Sequence, residues 1–100
     1  MDNLSGSNQR MTVRRGLVVE EVDGESVILD LEGDRFYGLN EVGVLIWEAL
    51  EGQGATIGEL VDVVVDHFKV PRERASLDTR AFVEELSDAG LIEGGNKGSR

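Results

Sequence analysis

The stretch from Val27 to Asn40, VILDLEGDRFYGLN, constrains the fold more than any other part of the chain. It reads as a strand, a tight turn at Gly33-Asp34, a second strand and the cap of a helix. Glycine tolerates positive φ and aspartate accepts turn geometry, so Gly33-Asp34 has the chemistry of a two-residue hairpin loop. Such a loop sets a register: Glu32 opposite Arg35, Leu31 opposite Phe36, Asp30 opposite Tyr37, Leu29 opposite Gly38, Ile28 opposite Leu39. Val27, Leu29, Leu31 and Phe36 then share one face, and Ile28, Tyr37 and Leu39 the other. A sheet with one wet face alternates apolar and polar residues, yet here both faces are apolar. Either the sheet is covered twice, or one face serves a partner.

The flanking segments complete an α+β order. Leu17 to Val22 is a β-branched run that reads as a first strand, and the Asp23-Gly24 turn leads into a second strand over Ser26 to Leu31. Asn40 is a good N-cap, and Val42, Leu45, Ile46, Ala49 and Leu50 follow the spacing of a buried helical stripe, with Trp47 to one side of it. Thr56 and Glu59 form a capping-box signature for a second helix, whose inner stripe is Ile57, Leu60, Val61, Val64 and Phe68. Pro71 stops that helix, and 71–75 reads as a charged connector. A third helix is expected from about Ser76 to Ala89, with Thr79, Phe82, Val83 and Leu86 inward and Gly90 as a left-handed cap. The expected architecture is winged helix-turn-helix-like: a three-stranded antiparallel sheet followed by three helices. The domain is expected over 17–93. Residues 1–16 and 94–100 are polar and without periodicity, and are expected to be flexible tails.

Charge and composition exclude several functions. The 100 residues contain no cysteine, which removes thiolate metal sites and cysteine nucleophiles. His67 is the single histidine, and alone it cannot anchor a transition metal. Glu59, Asp62 and Asp66 share a helix face but lack the loop carbonyls that hard cations use, so they read as a solvated face. No serine stands in a nucleophile-elbow context and no glycine loop precedes Lys-Ser/Thr. Neither catalytic nor metal residues are expected, nor a cofactor. No apolar run approaches the ~20 residues that span a bilayer, and a cytoplasmic protein is the default expectation. Between Leu17 and Asn96 there are 19 acidic and 5 basic residues, a balance of −14. Four of those bases, Lys69, Arg72, Arg74 and Arg80, fall in one segment, and Arg35 lies on the third strand. A body this acidic repels phosphate backbones. A third helix presenting Asp78, Glu84, Glu85 and Asp88 against Arg80 is a poor reader of DNA, which leaves a winged-helix nucleic-acid-binding regulator as the alternative reading. A structural subunit with no peptide ligand is a third.

If strand order follows the hairpins, Arg35 to Gly38 lies on an unpaired edge, and edges are normally protected by charge or proline. This one has only Arg35. A peptide adding there would bond to the backbone of Arg35, Phe36, Tyr37 and Gly38. Of their side chains, Phe36 is the expected contact, whereas Tyr37 and Leu39 lead into the first helix and are expected in the core.

The segment FYGLNEVGVLIWEALEG, with the closing LSDAGLIE, resembles the PqqD-like family, the precursor recognition elements of ribosomally made, modified peptides. The resemblance runs from about Leu17 to Glu93. It is carried by Tyr37-x-Leu39-Asn40, Gly43, Ile46-Trp47 and Leu50, and by Leu86-x-x-x-Gly90-Leu91-Ile92. The turn between the second and third strands is Glu32-Gly33-Asp34, without the proline of the family's quinone-pathway members. The Leu-Asp-Leu and Phe-Tyr-x-Leu-Asn pattern is more similar to stand-alone recognition proteins of lasso-peptide clusters. The resemblance implies a non-catalytic adaptor. It would bind the leader of a precursor peptide as an added strand, in a groove bounded by the third helix, and present it to a separate leader peptidase or modifying enzyme. On that helix Asp78, Ala81, Phe82 and Glu85 recur at helical spacing and complete the expected peptide-binding set. The exposed edge also offers a route to a homodimer. About four backbone hydrogen bonds at a net ~1 kcal/mol each supply about 4 kcal/mol, whereas micromolar affinity needs about 8 kcal/mol. Apolar anchors must supply the rest.

Overall fold

A computed structural model describes residues 9–94. Its elements in chain order are β1 (Met11–Val13), β2 (Leu17–Val22), β3 (Glu25–Asp30), β4 (Arg35–Leu39), α1 (Glu41–Glu51), α2 (Ile57–Phe68), α3 (Arg72–Asp88) and β5 (Ile92–Gly94). The three-stranded sheet runs β2-β3-β4 and is antiparallel throughout. It precedes three helices, as the sequence implies. The β2–β3 turn puts both Asp23 (φ 54°) and Gly24 (φ 80°) in the left-handed region, the geometry that matches strand twist.

The β3–β4 connection differs from its expected form. Asp30 pairs with Arg35, Leu29 with Phe36, Ile28 with Tyr37, Val27 with Gly38 and Ser26 with Leu39, so the loop is Leu31 to Asp34. The Asp30 carboxylate dictates this. Its Oδ1 accepts from the N–H groups of Glu32 (3.1 Å) and Gly33 (2.9 Å), and the Asp34 N–H donates to the Asp30 carbonyl at 2.8 Å. Gly33 is required for close approach: a Cβ there would lie 2.7 Å from Asp30 Oδ2. The left-handed turn residue is Asp34, at φ 59°. The register is shifted by two residues, and because side chains alternate with period two, the face assignment of every strand residue survives.

The tail expectation fails at both inner ends. Met11–Val13 pairs with Ile92–Gly94, and Met11 also bridges Ala55 through two 2.9 Å backbone hydrogen bonds. Met11 is 3% exposed, one apolar anchor in a polar segment too short to show a period. Residues 1–8 and 95–100 of the expected tails lie outside the described residues.

Arg14 then joins three parts of the fold. Its backbone N–H donates to the Leu91 carbonyl (2.9 Å), its Nε to the Gly90 carbonyl (2.7 Å) and its Nη2 to Asp30 Oδ2 (2.9 Å). The amide of Gly33 and the Arg14 guanidinium hold the Asp30 carboxyl below the usual carboxylate range, against the opposing effect of burial.

The helices follow their caps. Asn40 accepts from the Gly43 N–H (2.8 Å), and Thr56 and Glu59 form the reciprocal capping box. α1 buries Gly43, Ile46, Trp47 and Leu50, a stripe rotated toward Trp47, which is only 2% exposed and donates its indole N–H to Glu51. α3 begins at Arg72, one turn before the expected start. Proline costs nothing at a helix entry, where its missing N–H would have no partner. Ala75 is buried at 1% exposure, and Arg72 pairs with Asp62 of α2 at 2.7 Å, so the charged connector is the first turn of the helix. α3 ends as expected. Gly90 (φ 76°) donates to the Ser87 carbonyl and Leu91 to the Leu86 carbonyl, the paired bonds of a Schellman cap. Ile28, Ile46, Trp47, Leu50, Leu60 and Leu91 fill the core between sheet and helices.

Met11→Ala is expected to cost about 2–5 kcal/mol, the range for a truncated buried methionine; urea unfolding reads it, and a loss below ~1 kcal/mol would restore the tail description. Asp30 carries a depressed folded-state pKa, so its stabilisation is complete above the ordinary carboxylate pKa and disappears as pH falls through the folded value. Asp30→Asn is therefore expected to be less stable at neutral pH and to have a flatter acid limb than wild type, measured as Tm against pH below 5.

Candidate functional site

β4 is an edge strand, with β3 on one side and no described strand on the other. Beside that edge, α3 comes close enough to leave a groove of about 170 Å³, lined by Ile28, Tyr37, Gly38, Leu39, Phe82, Glu85, Leu86, Ala89 and Leu91. Its floor is apolar, built from the helix-facing side of the hairpin and the inward edge of α3. Glu85 is its one carboxylate, and Tyr37 brings the one hydroxyl.

The groove's shape depends on a close helix contact. A Cβ on Gly43 would fall 3.1 Å from the Phe82 ring, 3.2 Å from Leu39 and 3.3 Å from the Asn40 side chain. With no side chain there, α1 can receive the Phe82 ring, and Phe82 spans from the helix packing to the groove. The resemblance gave Gly43 as a motif position, and its packing explains why a glycine serves there.

The expected site residues divide into groups. Tyr37, Gly38, Phe82 and Glu85 come together in the groove. Arg35 opens the strand, with its guanidinium 5.7 Å from the centre of the Tyr37 ring and 4.0 Å from Asp30, so it sits on the helix-facing side above the groove. Phe36 alternates to the opposite face and is 71% exposed. Ala81 is exposed on α3, one turn before Glu85, and does not line the groove. Asp78 shares the helix face of Phe82 and Glu85 but lies one to two turns nearer the start of α3, beyond the groove: it pairs with Arg74 at 3.2 Å and borders a second apolar depression with Val42, Val64, Phe68, Val70, Pro71 and Ala75. The expected α3 flank thus keeps one side of the helix, and the groove takes only its later turns, so Asp78 is left out by its position along the axis.

Five lining residues were not among those expected. Ile28, Leu39 and Leu86 read as plain core, and Ala89 and Leu91 as parts of a helix cap. The spacing Phe82, Glu85, Leu86, Ala89 was the available signal. Among the described residues, no group of three or more His, Asp or Glu side chains is placed to hold a metal ion. No described helix is long and apolar enough to cross a membrane.

The sequence profile of the family described as Coenzyme PQQ synthesis protein D (PqqD) matches residues 25–92, from the start of β3 to β5. The chain belongs to the PqqD family. The matched span contains the edge strand, the groove and all three helices. No curated protein sequence matches the chain. Among solved structures, TbiB1 in complex with the TbiA(beta) leader peptide is similar at 28% identity and a TM-score of 0.72, covering 89% of this chain and 98% of that one. A lasso peptide synthetase B1 complexed with the leader peptide shares the fold at 23% identity and a TM-score of 0.72, covering 84% and 98%. So does the PqqD truncation of Methylobacterium extorquens PqqCD, described as a functional, stand-alone RiPP recognition element, at 18% identity and a TM-score of 0.70, covering 89% and 93%. Within the matched span, the β3–β4 loop is organised by the Asp30 carboxylate.

The Gly43–Phe82 contact makes a separable prediction. Gly43→Val is expected to cost about 1–3 kcal/mol through overpacking. Adding Phe82→Ala should make the double variant less destabilised than the sum of the singles, by about 1 kcal/mol or more in a double-mutant cycle. Additive losses would mean that the ring and the helix do not compete for the same space.

Proposed function

We propose that this PqqD-family protein is a non-catalytic adaptor that captures the leader of a ribosomally made precursor peptide as a fourth strand on β4. The observation that carries the reading is the coincidence of an unpaired strand edge with an apolar groove along the same strand. Backbone groups along Arg35 to Gly38 bond the incoming strand, and alternate side chains of that strand fall toward Tyr37, Phe82 and Leu86. Hydrogen bonding gives register and part of the affinity; apolar anchors in the groove supply the remainder that micromolar binding needs. Arg35 and Glu85, of opposite charge, stand near the groove and select the charges that a leader can carry beside its anchors.

The likeness to TbiB1, whose structure holds a leader peptide, supports this reading. The Leu-Asp-Leu and Phe-Tyr-x-Leu-Asn pattern favours a lasso-type pathway, in which the captured precursor passes to a separate leader peptidase. The binding set proposed is the backbone of Arg35, Phe36, Tyr37 and Gly38, with the side chains of Tyr37, Phe82 and Glu85, and with Ala81 at the rim. Asp78, on the same face of α3 but beyond the end of the groove, is left out of the set.

The test is an amide NMR titration of labelled protein with leader segments of short reading frames beside its gene, and with the TbiA(beta) leader as a related probe. Shifts are expected at Arg35 to Leu39 and along Phe82 to Ala89. Ala81→Trp places a large ring at the exposed rim, and is expected to weaken leader binding about tenfold or more, ~1.4 kcal/mol, while Tm stays within a few degrees of wild type. A folded protein that answers no leader, or an Ala81→Trp variant that binds as well as wild type, would overturn the assignment.

A further inference from the structure

Among the described residues, none covers the apolar row on the face of the hairpin sheet turned away from the groove. Register places Val18, Leu29 and Phe36 side by side across the three strands, with Glu20, Val27 and Gly38 in the next row and Val22 opposite Glu25 beyond. Val18 is 39%, Val22 52% and Phe36 71% exposed, and Leu31 in the adjoining loop is 66% exposed. A cluster of exposed apolar side chains marks an interaction surface more often than an accident.

Charge narrows what can cover it. The strand residues of this face include Glu20 and Glu25 and neither lysine nor arginine; the bounding turns add Asp23, Asp34 and Glu32, the last paired with Arg14 at 3.6 Å, and on the basic side only Arg15 before β2. Arg35, the one base in these three strands, is on the other face against Asp30 and Tyr37. A second copy docked face to face would set Glu20 and Glu25 against their own kind, and like charges in an interface disfavour pairing. Nucleic acids and anionic lipids meet the same repulsion. An apolar patch bordered by lysine and arginine is complementary.

We infer that this face docks a protein partner whose contact surface is apolar at its centre and basic at its rim, and that it is the surface by which the adaptor engages the enzyme acting on its peptide. The identity of that partner rests on the adaptor reading; the face and its chemistry rest on exposure and charge. The two surfaces share β4. A peptide added beside β4 turns every second side chain to the row that ends in Phe36, so loaded peptide and adaptor present one continuous strip.

Since the partner is defined by its chemistry, the first probe is an amphipathic leucine–lysine helical peptide, titrated into isotope-labelled full-length protein at low and high salt. Shifts centred on Val18, Leu29 and Phe36 are expected, with affinity falling as salt rises. Phe36→Thr should weaken the probe about tenfold, ~1.4 kcal/mol, and Val18→Thr should weaken it measurably while leaving leader affinity at its wild-type value. Shifts scattered over the acidic surface would overturn the inference, as would shifts centred on the α1–α2 seam at Val44, Leu45 and Phe68. Self-association in sedimentation that Phe36→Thr abolishes would also overturn it, by making a second copy the occupant. Leader titration of the same samples separates the two readings. Loss of leader binding with the probe still on the Phe36 row defeats the adaptor assignment alone, and the reverse result defeats this docking face alone.

Discussion

The fold depends on how one carboxylate is held. Asp30 is almost fully enclosed at the end of β3, where a lone charge would be costly, and it is satisfied from three directions: two amides of its own hairpin loop, the Arg14 guanidinium and the more distant Arg35. Arg14 in turn donates to the Gly90 carbonyl at the close of α3. A single ion pair thus fastens the hairpin that carries β4 to the end of the helix that forms the groove's other wall. The separation of those walls is set by charge-assisted hydrogen bonds, which are directional and short, rather than by apolar packing alone. Removing either partner leaves the other charge enclosed and the walls untied, so the site and the stability of the hairpin stand or fall together.

Phe82 couples the groove to the helix bundle in a similar way. Its ring meets α1 at a glycine and also faces the space beside β4. A groove whose floor belongs to the core is stiff, because core side chains are close-packed and cannot shift independently. Stiffness matters for strand addition. A peptide that is disordered before binding loses conformational entropy on capture, and a preformed cradle keeps the protein from adding a second entropic cost.

The sequence made the architecture legible where local chemistry was decisive. Asn40, the Thr56–Glu59 box, Gly90 with Leu91 and the alternation along β4 each name an element boundary through a mechanism, and each recurs in the structure. What failed depended on contacts distant in sequence. Met11 and Arg14 sit in a polar segment, and their roles come from Ala55, Asp30 and Gly90, which no local pattern connects to them. The register differs by two because the turn chemistry of Gly33-Asp34 is local to that pair, while the Asp30 side chain, three residues before Gly33, captures the loop amides. Parity protected the conclusion about faces. Of the site, the strand was readable and the helix only partly so: Phe82 and Glu85 were reached by spacing, but Asp78, on the same face a further turn back, lies beyond the end of the groove, a limit that helical spacing does not reveal.

An exposed strand edge flanked by exposed apolar residues is also a route to aggregation. Its usual defences are sparse here, since β4 contains one charged residue, no proline and a glycine. The protection is collective instead. With a formal charge of −10 on 100 residues, two copies approaching edge to edge or face to face meet repulsion before backbone groups can pair. A short leader strand carrying little charge, or some positive charge, faces no such barrier. The same acidity that argues against nucleic acid as a ligand thus opposes pairing between two copies of this edge, while leaving a weakly charged strand unopposed. It follows that the edge needs no proline or added charge within β4 itself, and the strand can keep its apolar side chains.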